Sequence, residues 1–216
     1  MTDEPRQLDL RGRDAQGVPD GIFGQEIDST PTNWWWATEI VFEPVEHVAN
    51  LTAIFRSADT LRSRYGREQL EQGFWFLISG APGGLEEVLW NTDVPWEARA
   101  DLIHATVDLY RRLFAYDALD TSAYMFWDAL AYGYCVPTRH PETDTEDRRI
   151  QDAMCAALTE ILEIESPFCQ LAALHGLGHL RHPETERTIT RYLERNPGLS
   201  DEHREFALAC ITGEIQ

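Results

Sequence analysis

Three histidines offer the sharpest chemistry in this chain. His175, His179 and His182 stand three and four residues apart. At about 100° per residue they fall within a roughly 60° sector of one helix. Three imidazoles on one face are a possible zinc-ligand set. Two features speak against it. His182 sits immediately before Pro183, where a helix has to end, and a cation near a helix C-terminus is favourable in its own right. No HExxH motif or His-Glu dipeptide accompanies the cluster, and spacing alone lacks the expected carboxylate and outer-shell partners. The expectation is therefore no metal, no cofactor and no catalytic residue.

Other candidates reduce to structure. Trp34, Trp35 and Trp36 suit a binding hot spot, but they suit equally an anchor pinning an irregular segment to a core. In any regular conformation at least one of the three points outward. Gly80-Ala81-Pro82-Gly83-Gly84 lacks the GK[ST] of a phosphate-binding loop and the strand before it, so it reads as a loop. Ser79 and Ser166 have no nucleophile-elbow context. The acidic stretch from Pro141 to Asp147 reads as an exposed loop and helix start, where Asp and Glu are favoured. Cys135, Cys155, Cys169 and Cys210 form no CxxC pair and lie in apolar stretches, as buried free thiols in a reducing compartment do.

The elements that must position these residues are helices. After Glu43, apolar residues recur at three- and four-residue spacings, and no strand alternation is sustained. Helices are expected over 43–65 with a kink near Ser57, then over 67–79, 85–90, 95–116 and 121–134. Thr143 to Glu146 reads as a capping box for a helix reaching Glu165. Ser166-Pro167 supplies an N-cap and a first-turn proline for a helix ending near Arg181. Glu184 to Arg195 and a helix capped by Ser200 complete the chain. Residues 1–20, rich in Asp, Arg, Gly and Pro, read as a flexible or loosely docked arm before a single domain over 21–216. Ile40-Val41-Phe42 is a short strand or an extended segment.

A 35-residue shift lays Leu171, Ala172, Leu174, Gly178 and Leu180 over Phe206, Ala207, Ala209, Gly213 and Ile215. Periods of this size built from helix pairs indicate an α-solenoid. The stretch Ala172-Ala-Leu-His-Gly-Leu-Gly-His-Leu-Arg-His-Pro-Glu184 resembles the first helix and turn of a HEAT-like repeat. Leu177-Gly178 takes the place of the leucine-glycine pair closing the first helix, and Pro183-Glu184 that of the turn. The resemblance is carried mainly by residues 167–216 and extends to 143–165. It implies an all-α fold, a right-handed α-α superhelix with an irregular N-terminal arm. HEAT-like metal hydroxylases rely on His-Glu pairs, which this chain lacks.

Composition narrows the partners. The 216 residues carry 37 acidic side chains against 18 basic ones, for a net charge of −19. All 18 are arginine, as a GC-rich genome favours. Such a chain repels nucleic acid and anionic lipid and attracts basic proteins. The N-terminus has no apolar core of a signal peptide, and no apolar run approaches the roughly 20 residues of a membrane span. The expectation is a cytoplasmic, bacterial, non-enzymatic module binding a basic protein, either immunity- or antitoxin-like or an adaptor. The competing class is a metal-dependent enzyme using the histidine cluster. Oligomeric state is left open by the sequence.

Overall fold

The computed structural model describes residues 6–14, 16–27, 33–136, 138–213 and 215. Most of them are helical, and the chain divides into two compact units, Met1–Leu113 and Phe114–Gln216.

The first unit opens with a strand, not a loose arm. Strand β1 (Arg6–Asp9) pairs in parallel with β2 (Thr38–Val41), Leu8 lying opposite Ile40. Leu8, Leu10 and Ile40 are buried, and the Leu10 N–H extends the ladder to the Val41 carbonyl. Helix α1 (Val18–Phe23) follows, with Val18, Ile22 and Phe23 fully buried. The expected flexible arm is thus corrected for residues 6–14 and 16–20; residues 1–5 and 15 lie outside the described ones. The reason is that alternate apolar side chains, Leu8 and Leu10, have a core to enter once a distant partner strand is present. Beside this two-stranded sheet the described residues are mostly helical, consistent with the all-α expectation.

Helix α2 (Pro44–Arg56) stops at Ser57, whose hydroxyl donates back to the Ala53 carbonyl. A 3-10 turn (Ala58–Thr60) and α3 (Leu61–Arg64) continue it, so the kink expected near Ser57 is a full break. Helices α4 (Arg67–Ile78), α5 (Leu85–Leu89) and α6 (Trp96–Leu109) follow, the last ending in a π turn from Tyr110. Helix α6 packs along α2 and α4 against α1. Arg99, 1% exposed, donates through Nε to the Val94 carbonyl and through Nη1 to the Leu89 carbonyl, both at 3.0 Å, tying α6 to the turn after α5.

The second unit contains α7 (Ser122–Cys135), α8 (Thr145–Ile161), α9 (Pro167–Leu180), α10 (Thr185–Arg195) and α11 (Asp201–Thr212). Ser166 and Ser200 cap α9 and α11 through their hydroxyls. The α8 cap is Asp144, which accepts from the Glu146 and Asp147 N–H groups, in place of the expected Thr143. A carboxylate one residue nearer the helix reaches two orphan donors at once.

Helix α9 lies at the centre, against α7, α8 and α11. Residues 172–178 are all buried, as an apolar helix without a polar face requires. Two glycines make this possible. A Cβ at Gly176 would stand 2.5 Å from Trp127 Cβ on α7, and one at Gly178 would stand 2.5 Å from Ile215 Cδ1 and 3.2 Å from the Cys210 carbonyl oxygen. Tyr124 meets His175 and Cys135 meets His179, so α7 and α9 run in the same direction. Arg181 closes α9 in the left-handed conformation, φ 50°.

Candidate functional site

The histidine cluster is where α7 and α9 cross. His175 and His179 project from one face of α9, a turn apart, and their Nε2 atoms meet at 3.1 Å. The rings stand edge to face, 80° apart in plane. His175 is 1% exposed and stacks on Tyr124 at 4.5 Å, with Phe206 of α11 nearby. Its Nδ1 makes no hydrogen bond. His182 is not part of the cluster. Arg181 has turned the chain, and His182 Nε2 instead lies 2.8 Å from Asp152 Oδ1 on α8.

The structure adds residues that the sequence reading did not single out. Asp128 of α7 brings Oδ1 to 3.1 Å from His179 Nε2, off the direction of a ring N–H, and this oxygen accepts no hydrogen bond. Cys135 Sγ lies 3.4 Å from His179 Nδ1 and donates to the His179 carbonyl at 3.0 Å. One signal was available: Asp128 is the sole charged residue of Ser122–Cys135, and Cys135 follows it by two helical turns.

Burial, followed by the neighbouring His179, pushes the His175 pKa below its usual value, against the pull of Asp128 and the Tyr124 main chain. For His179 burial again lowers the value first, with Asp128 opposing and Arg181 assisting. Both imidazoles are therefore held toward neutrality, the form that offers a lone pair.

Cys135, His179 and Asp128 form a thiol–imidazole–carboxylate line, the pattern of nucleophilic catalysis. The surroundings oppose that use. Burial raises the Cys135 thiol, with Arg181 only partly offsetting it. Cys135 is the last residue of α7 and His179 is next to the last of α9. Both helices present the negative ends of their dipoles, which disfavour a thiolate and favour a cation. The other cysteines are buried, with Cys155 raised to about 11 and Cys210 to about 12 by burial.

In the first unit the tryptophans occupy a 3-10 turn, Trp34–Ala37. Trp35 is buried, Trp34 packs on Phe76 at 5.0 Å, and Trp36 is 74% exposed. The sequence thus places two anchors and one outward ring. Trp35, Trp36, Thr38 and residues 79–82 line a shallow apolar concavity of about 340 Å³. The glycine-rich loop is a structural cover: the Gly83 carbonyl lies 2.8 Å from Nε2 of the buried His47, and the Gly83 N–H donates to Glu87. Tyr116 and Tyr132 are the large exposed aromatics of the second unit. No helix among the described residues is long and apolar enough to cross a membrane.

No family model matches the sequence, and neither the curated proteins nor the solved structures give a significant match.

Proposed function

We propose that this chain is a non-enzymatic protein-binding module built on HEAT-like helix pairs, and that its partner is a basic protein. The observation that carries the reading is charge: 37 carboxylates against 18 arginines and no lysine. The excess is shared, 19 acidic against 10 basic residues in 1–113 and 18 against 8 in 114–216. A field of this sign steers cationic partners and repels polyanions.

The helix arrangement of the second unit supports the scaffold part. Helices α7, α9 and α11 pack in succession through α9, while α8 packs on α9 and α10 on α11. The caps of α9 and α11, Ser166 and Ser200, recur 34 positions apart, close to the 35-residue shift in the sequence. Stacked helix pairs present extended faces to other chains. The exposed Trp36, Tyr116 and Tyr132 are of the residue type that anchors interfaces. In one concrete form the module neutralises a cationic toxin, as an immunity protein or antitoxin does; in the other it is an adaptor. The catalytic reading gains less, because burial raises the Cys135 thiol and, among the described residues, no group of three or more His, Cys, Asp or Glu side chains could hold a metal ion.

Affinity capture from extracts of the native host, at low and at high salt, tests the proposal. It predicts a basic protein that co-purifies stoichiometrically and is released by salt. Capture of neutral, salt-insensitive proteins only, or of none, refutes it. A toxin gene beside this one selects the immunity form.

A further inference from the structure

Trp36 is 74% exposed, yet it stands on a turn pinned from both sides. Before it, Trp35 is buried and Trp34 packs on Phe76 of α4 at 5.0 Å. After it, the Thr38 hydroxyl donates to the Trp34 carbonyl at 2.7 Å. The Trp36 N–H donates to the Asn33 carbonyl at 3.1 Å and closes the turn. The indole is therefore offered to solvent already ordered, so covering it on binding costs little conformational freedom.

The apolar concavity beside this ring, completed by residues 79–82, has a volume of about 340 Å³. That is near the lower end of the roughly 300–1,000 Å³ of small-ligand sites and suits one long side chain. Its surroundings carry charge of one sign. Residues 14–55 and 68–98, the two stretches that supply its lining, hold 13 acidic side chains and no arginine or lysine. Glu86 stands at the rim, its Oε2 3.5 Å from where a Cβ on Gly80 would lie. Helix α4 ends at Ser79, one of the lining residues, and so turns the negative end of its dipole toward the concavity. Arg6, opposite Thr38 in the strand pair, is turned to Gln25 Oε1.

We propose that Trp36 and this concavity are the docking point for an arginine side chain of the basic partner. The guanidinium stacks on the Trp36 face and the aliphatic stem lies against Pro82. This rests on the reading of the chain as a module for a basic protein, and it names the surface. A cation over an indole is the strongest of the cation–π pairs. Arginine fits better than lysine, because its planar, weakly hydrated head stacks on the ring and still points N–H donors at a carboxylate such as Glu86. An anionic segment would meet only repulsion here.

The test is a titration of the ¹⁵N-labelled full chain with a capped hexa-arginine peptide, followed by the indole N–H signals of its tryptophans. Hexa-lysine and hexa-glutamate serve as comparison probes. The expected result is a saturable shift of the Trp36 signal, assigned by its loss in Trp36→Ala. Trp36→Ala weakens hexa-arginine binding at least about fivefold. Tyr132→Ala, in the second unit, binds as the wild type does. Hexa-lysine binds more weakly than hexa-arginine, and hexa-glutamate does not bind. Circular dichroism establishes that each variant is folded, as expected for exposed side chains. A stationary Trp36 signal, wild-type affinity in Trp36→Ala, an equal loss in Tyr132→Ala, or equal affinity for hexa-lysine overturns the proposal. If hexa-arginine still binds in those cases, and a basic protein is still captured in a salt-sensitive way, only the surface is refuted. If neither cationic peptide binds and no basic protein is captured, the surface and the reading beneath it fall together.

Discussion

Replacing Gly176 by alanine tests how α9 is held at the centre of the second unit. The added methyl would stand 2.5 Å from Trp127 Cβ, 3.1 Å from Trp127 Cγ and 2.9 Å from Leu158 Cδ2. Carbon atoms in contact prefer about 3.5–4.0 Å. Leu158 ends in a flexible methyl and can turn aside. Trp127 Cβ is one bond from the main chain, so relief requires α7 to shift from α9 by about 1 Å, and overpacking of this kind costs about 1–3 kcal/mol. The displacement of a helix places the cost at the upper end. Alanine returns about 1 kcal/mol through helix propensity. The net expectation is a loss of about 2 kcal/mol, or a fall in Tm of about 4–8 °C for a chain of this size. Gly198→Ala is the control, since nothing lies within 4 Å of a Cβ there. Thermal unfolding by circular dichroism reads both. A Gly176→Ala protein that melts at or above the wild-type temperature refutes the close-packing argument.

Further outcomes follow from the same geometry. His175, His179 and the buried His47 are held below their usual pKa chiefly by burial, so the unfolded chain takes up protons first as pH falls. Stability is then full above about pH 6.5 and declines below it toward the lower folded values, and His175→Phe flattens that decline in urea titrations at stepped pH. Arg99→Ala leaves a cavity and strips the Val94 and Leu89 carbonyls of a donor, costing about 2–4 kcal/mol by urea unfolding, and lysine, without the planar fork, recovers only part. Ser166→Ala removes the acceptor for the Cys169 N–H at the start of α9 and costs about 1 kcal/mol in the same assay.

Local signals in the sequence carried far. Ser166 and Ser200 cap where a hydroxyl precedes an apolar run, and the pause at Ser57 and the Gly80–Gly84 loop fall where the chain chemistry demands. That at least one ring of the tryptophan triplet points outward was legible in the same way; that it is Trp36 comes from the structure. Non-local features were not. Residues 6–9 find their strand partner at 38–41, and four residues of polar-rich chain carry no sign of it. The cluster was half visible. A helical wheel groups His175, His179 and His182, yet it omits the left-handed turn at Arg181 that sends His182 to Asp152. It also omits the neighbouring helix that supplies Asp128 and Cys135, although a single charge inside an apolar helix is itself a mark of an unusual site.

The central claim, that an acidic helical scaffold recognises a basic protein, is tested most directly by the ionic-strength dependence of association with the captured partner. The account predicts an association rate that falls at least tenfold between about 50 and 500 mM salt, with the dissociation rate changing less. An association rate indifferent to salt contradicts it.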